Sequence, residues 1–326
     1  MRPSARVGFL ALSLGVALAL ATALSVSLGS VSIPLGRVFD ALRGAGDPQT
    51  LAIVRGLRLP RALLGLLVGG SLALSGASLQ ALLGNPLADP YLLGVSGGAA
   101  CGTLLAVVLG AGPVALPLAA LSGALLAVLL VSVGASSGGR LDRGRLLLSG
   151  VVVNAFASAI LLFLLSWGDP ARTRSFIFWM LGSLAGATGE TVISLAAYVA
   201  VGALILIPLA RSFDALMLGE ETAGTLGVPI ETVKRVAYLA ASLLAAAAVA
   251  YAGIIGFVGL LVPHAVRLLV RGHRALLALS FLGGATLLVL ADVVARTLFA
   301  PSEISVGAVT ALIGAPAFLV LLRRRG

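Results

Sequence analysis

The chain has 326 residues, of which 60% are hydrophobic and only 10% charged, and its mean hydropathy is +1.13. A soluble domain carries about 25% charged residues, so this chain lacks the polar surface to face water on its own, and lipid must be its main solvent. The net charge of +10 does not mark a nucleic-acid protein, because the basic residues are scattered between apolar runs, with one terminal cluster at Arg323, Arg324 and Arg325.

Cutting the chain at its charges predicts about ten spans, each near the 20 apolar residues that a bilayer crossing needs. In chain order they are Val7–Leu28, Arg61–Leu83, Leu92–Gly110, Pro113–Gly134, Leu146–Trp167, Thr191–Ala210, Val233–Ala252, Gly256–Val270, Ala275–Leu298 and Val306–Leu322. The fold class is therefore all-α, a single transmembrane domain over residues 1–326. The first run follows Arg2 and Arg6 and contains Ala21-Thr22-Ala23, which mimics a signal-peptide cleavage site. Its apolar stretch is longer than a signal core and further spans follow, so it reads as a retained span. Cys101, the one cysteine, lies in a small-residue run and reads as a buried small hydrophobe rather than a metal ligand.

The positive-inside rule orients the chain. With both termini in the cytoplasm, Arg2, Arg6, Arg140, Arg143, Arg145, Arg211, Lys234, Arg235, Arg267, Arg271, Arg274 and the terminal arginines fall inside. Arg37, Arg43, Arg55, Arg58, Arg61, Arg172, Arg174 and Arg296 fall outside. The outside set is smaller, which favours this orientation, and as exceptions its members call for a reason.

Three segments between spans are more than loops. Pro34–Leu42 has helical spacing suited to the outer surface. Ser175–Leu184 is apolar but too short to span, and reads as an interfacial or re-entrant helix with Trp179 at the boundary. Asp214–Val228 carries Glu220 and Glu221 among apolar residues and ends Leu226-Gly227-Val228. It either caps the bundle or docks a soluble partner.

Residues 84–100 form the strongest local signal. Gly84 suits a left-handed helix cap, Asn85-Pro86 stops the second span, and Asp89-Pro90 restarts a helix as N-cap and first turn. Gly94-Val95-Ser96-Gly97-Gly98 matches the G-x-S-x-G pattern of hydrolases, yet it opens a membrane helix with no preceding strand and no evident acid–histidine partners. Lys234, the one lysine, follows Val233 and not glycine, so no phosphate-binding P-loop is present.

Residues 84–100, Ile53–Arg61, Phe178–Thr188, Gly256–Arg267 and Gly307–Leu321 together resemble the permeases of type II ABC importers, those for ferric siderophores, haem and vitamin B12. The resemblance covers nearly the whole chain in order. It implies ten spans, a homodimeric permease in a bacterial cytoplasmic (inner) membrane, two cytoplasmic ATPase subunits and an extracytoplasmic substrate-binding protein. No cofactor, resident metal or nucleic-acid partner is implied, and ATP hydrolysis belongs to the separate subunits.

By the same resemblance Arg58, Arg61 and Arg296 match arginines that pair with glutamates of the binding protein; simple anchoring at the interface is the competing reading. Leu218, Gly219, Glu220, Glu221, Leu226 and Gly227 match the coupling helices that seat on the ATPase. Asn85, Leu87, Arg143 and Gly144 match the cytoplasmic gate, although this chain has Arg-Gly where relatives carry small hydroxyl residues. Asn154 and Ser158, one turn apart on the fifth span, either line the pathway or hold helices together. The cargo expected first is an iron chelate, ferric siderophore or haem, with cobalamin the alternative. A proton- or sodium-coupled transporter is the main rival. Asp292 is its best coupling carboxylate, and Arg296 four residues on is placed to neutralise it.

Overall fold

The computed structural model describes residues 3–29, 31–112, 114–167 and 169–323. Arg2, Arg324 and Arg325, used above for orientation, and Pro113, the expected start of the fourth span, lie outside these residues. Among the described residues the regular secondary structure is helical apart from one short hairpin, β1 (Ser136–Ser137) paired antiparallel with β2 (Arg140–Leu141).

The helices before the hairpin are α1 (Pro3–Ser27), α2 (Leu35–Arg43), α3 (Pro48–Leu51), α4 (Leu59–Leu83), α5 (Val95–Val108) and α6 (Ala115–Ala135). After it come α7 (Arg143–Trp167), α8 (Pro170–Met180), α9 (Gly189–Leu206), α10 (Ala210–Leu216), α11 (Glu220–Thr225), α12 (Ile230–Ala252), α13 (Val258–Arg267), α14 (His273–Thr297) and α15 (Val306–Arg323). Among the described residues, 7 helices are long and apolar enough to cross a bilayer, and the shorter apolar helices α5, α13 and α15 fall on the remaining expected spans. The expected surface helix at Pro34–Leu42 appears as α2, and the short apolar stretch at Ser175–Leu184 falls partly in α8.

Several boundaries differ from the hydropathy reading for local reasons. The second span is preceded by α3 and a π-helical stretch, Ala52–Arg58, in which the Leu59 amide bonds back to Val54. Pro60, which has no amide hydrogen, follows in the first turn of α4, where that loss is tolerated. The third span starts at Val95, because Asp89 and Pro90 open a 3-10 turn (Pro90–Leu93) and not the long helix. The fifth starts earlier than expected: the Asp142 side chain accepts the Arg145 amide at 2.7 Å, so Arg143 and Gly144 are helical and not part of a loop. The segment Asp214–Val228 divides into α10 and α11 at Gly219, whose φ is 107°.

The central post is α4. Of its span, 83% is buried within the chain, against 6% for α1 and 17% for α7, so the latter two turn apolar sides outward. Around α4 pack α14, α12, α13 and α9. Glycines make these crossings close, as small residues do where lipid supplies no hydrophobic drive. A Cβ on Gly76 of α4 would fall 1.8 Å from the carbonyl oxygen of Gly259 in α13. Gly76→Ala is therefore expected to force α4 and α13 apart and destabilise the protein by at least about 1–3 kcal/mol, the usual cost of overpacking. Thermal unfolding in detergent checks this; an unchanged midpoint would mean the crossing is slack.

The two ends of the bundle differ. The last turn of α14 meets the first turn of α4 through Arg296, Asp292 and Arg61. At the opposite end, the first residue of α14, His273, holds Asp214 of α10, with Nδ1 2.7 Å from Oδ1. The end of α4, the hairpin, α10 and α11 gather at this second end.

Candidate functional site

At the first end, Arg58, Arg61 and Arg296 surround one cavity of about 510 Å3, with Glu303 on its wall. All three guanidiniums are engaged within the chain. Arg58, 6% exposed, donates through Nη1 to the carbonyls of Val26 at 3.0 Å and Ser27 at 2.8 Å, and through Nη2 to Val31. Arg296, also 6% exposed, donates to the Ser25 carbonyl at 3.0 Å and the Ser25 hydroxyl at 2.9 Å, and to the Leu28 carbonyl at 3.3 Å. The last carbonyls of a helix have no partner within it and carry its negative dipole end. Two arginines thus cap the C-terminus of α1 and hold it to the bundle.

Asp292, 1% exposed, balances the cluster. Its Oδ1 accepts from Arg61 Nε at 3.0 Å and Nη2 at 2.9 Å, and its Oδ2 lies 3.0 Å from Arg296 Nε. Arg61 also reaches the half-exposed Glu303 at 2.9 Å. The pairing of Asp292 with Arg296 was legible from their spacing; the second guanidinium was not. Asp292 is thus taken up by structural ion pairs with two guanidiniums that join α14 to α4.

At the second end, the turn after α4 forms as its residues dictate. Gly84 is left-handed at φ 60°, and the Asn85 amide bonds back to the Gln80 carbonyl at 3.1 Å, closing the helix. The Asn85 side chain accepts the Leu87 amide at 2.9 Å, leaving Leu87 exposed at the tip. Asp89 accepts the Tyr91 amide at 2.8 Å. Burial pushes its carboxyl up to about 6, against the pull of that amide. The Tyr91 hydroxyl donates to the Ile255 carbonyl at 3.0 Å, tying the turn to the segment before α13.

The pattern Gly94–Gly98 opens α5 with no strand before it, as the sequence reading required when it set hydrolase chemistry aside. Asn154 and Ser158 both lie on α7. The Asn154 amide donates to the Tyr91 carbonyl at 3.0 Å, while the Ser158 hydroxyl returns to its own helix at Asn154 O, 2.9 Å away. Leu218, in the turn after α10, and Leu226, which caps the C-terminus of α11, are exposed at 66% and 64%. Glu220 is paired with Arg143 and with Lys234. Sequence reasoning passed over Lys234, Glu231 and Glu303 as partners, since nothing in their spacing marks them as such, apart from the Glu231–Lys234 separation.

A family model, that of the FecCD transport family, matches residues 17–324. The chain belongs to the FecCD transport family. It is 46% identical over 288 residues to the cobalamin import system permease protein BtuC of Halobacterium salinarum, spanning 86% of this chain and 76% of that one. It is 40% identical over 284 residues to the vitamin B12 import system permease protein BtuC of Escherichia coli O139:H28, covering 86% of each. A solved inward-facing structure of a metal-chelate type ABC transporter superposes with a TM-score of 0.87 at 31% identity, over 97% of this chain and 99% of that one. The chain is thus a multi-span permease subunit of the ABC importer kind, in a family that works with ATPase and binding-protein partners.

Proposed function

We propose that this FecCD-family chain forms a homodimer whose central pathway admits a preassembled metal chelate into the cytoplasm, powered by two separate ATPase subunits. Both termini face the cytoplasm, so the end bearing α10 and α11 meets the ATPase and the arginine-lined end meets an external binding protein. The observation that carries the reading is this polarity. One end holds a cationic cavity, and the other holds exposed leucines on a short segment anchored to the bundle by Asp214 and His273. The gate is the turn at Asn85 and Leu87 with the start of α7 at Arg143 and Gly144, and α7 lines the pathway. Purification of the complex tests the assembly: two permease copies with two ATPase copies are expected by mass, and a permease that never retains an ATPase chain contradicts the proposal.

The arginine cavity then has two duties. Arg58 and Arg296 cap α1, and the residual positive charge of the three guanidiniums attracts acidic side chains of the binding protein. Glu303 competes for Arg61 at the rim. Glu303→Gln is accordingly expected to speed association of the binding protein about two- to fivefold at low ionic strength, an effect that fades as salt shortens the Debye length. Association measured by surface plasmon resonance at two salt concentrations checks this; equal rates at both would remove the docking role.

An iron chelate, ferric siderophore or haem, remains the first reading of the cargo. Cobalamin, a cobalt chelate, is the second, and one observation favours it: relatives at 46% and 40% identity carry cobalamin and vitamin B12 in their names.

A further inference from the structure

Among the described residues, Lys234 is the one lysine, and it is 3% exposed. It lies in the first turns of α12, and its ammonium meets three elements. Nζ lies 2.7 Å from Glu220 Oε2 on α11, 3.3 Å from Glu231 Oε1 on α12, and 3.2 Å from the Leu141 carbonyl of β2. Glu231 closes the ring by accepting the Leu141 amide at 2.7 Å. An ammonium has three donors, and all are used here.

The chain of charges continues. Glu220 Oε1 lies 3.2 Å from Arg143 Nε, at the start of α7. Arg143 in turn lies over Gly84, where a Cβ would fall 3.0 Å from Nη1. A continuous path therefore runs from α11, through Glu220, to Lys234 and β2 on one side, and to Arg143 and the turn after α4 on the other. The joints differ. Lys234 is buried and fully bonded, so its removal leaves Glu220 and Glu231 facing each other without their common cation. The Arg143–Glu220 contact is an ion pair without a directed hydrogen bond at Nε.

We infer that Lys234 is a positioning residue that locks α11 to the β1–β2 hairpin and the start of α7, so that a displacement of α11 moves the entrance of α7 as one body. The inference rests on the reading of α11 as the ATPase-facing segment and of Arg143 as part of the gate. It adds the rigid connection between them. Exposed ion pairs are worth little because solvent screens them and side-chain entropy opposes them. A buried ammonium that joins three elements restricts their relative motion far more.

Two measurements test it. In the full-length permease in lipid nanodiscs, with Cys101→Ser as background, spin labels at Arg145→Cys and Thr225→Cys report the distance between α7 and α11. A single narrow distribution is expected with Lys234 present, its loss in Lys234→Met, and its recovery in Lys234→Arg. In the complete transporter, Lys234→Met is expected to keep ATPase subunits bound and ATP hydrolysis running. The ATP consumed per chelate moved should rise about fivefold, the lower end of energetic coupling between sites. Should Lys234→Met fail to fold, Glu231→Gln removes one arm of the same ring and is expected to broaden the distribution partially. An unchanged distribution in the folded variants would overturn the lock. Failure of the coupling reading itself shows separately, as ATPase binding that survives disruption of Leu218 and Leu226.

Discussion

Placing aspartate at Leu218, Gly219 and Leu226 is expected to abolish ATPase binding and stimulated ATP hydrolysis while the permease still inserts. Both leucines are exposed at the end of the bundle that carries α10 and α11, at 66% and 64%. Burying a leucine against a partner contributes about 1.5–3 kcal/mol, and a carboxylate there adds a desolvation cost, so two such changes weaken the contact by at least about a hundredfold. The structure refines the choice of variant. Gly219 has φ 107° and ψ 151°, a conformation essentially closed to other residues, so aspartate there also strains the junction of α10 and α11. The Leu218→Asp, Leu226→Asp double variant is the cleaner probe. Undiminished copurification of the ATPase with that variant would remove the coupling role from this segment.

Asp292→Ala is expected to have the largest effect on stability. Asp292 is the buried anion between Arg61 and Arg296, and without it two guanidiniums face each other with Glu303 alone at the rim. Removing one partner of a buried pair costs about 3–5 kcal/mol, because the remaining charge is left uncompensated. That is a large share of a total stability of about 5–15 kcal/mol. Arg296 also caps α1, so α1 is expected to loosen first. Asp292→Asn, which keeps one carbonyl acceptor for a guanidinium although its amide nitrogen can only donate, is expected to cost less. Unfolding in detergent compares the two; an alanine variant as stable as the parent would show that the cluster is wetter than its burial indicates.

Hydropathy alone located the spans because lipid enforces one simple rule, that backbone polar groups be satisfied within a long apolar helix. Gly84 and Asp89 were legible for a different reason: left-handed caps and side-chain caps are local, and a few neighbouring residues determine them. What stayed hidden was non-local. Arg58 reads as an exception to the positive-inside pattern, yet its partners are carbonyls of Val26 and Ser27, more than one element away. The π-helical stretch at Ala52–Arg58 carries no compositional mark. The fifth span begins three residues early because Asp142 caps it, a detail that charge-based cutting at Arg143 and Arg145 obscured. Lys234 looked like one more inside charge, and its importance lies in the three elements that converge on it.

The proposed function is transport of a metal chelate across the membrane at the expense of ATP hydrolysed on another subunit. The most direct measurement is uptake by the permease, its ATPase and its binding protein reconstituted in liposomes, with ferric siderophore, haem and cobalamin offered in turn. Accumulation of one of these chelates is expected only when ATP reaches the ATPase and the binding protein is present on the opposite side. Uptake driven by a proton or sodium gradient without ATP, or none of the three moved by a complex that hydrolyses ATP, would contradict it.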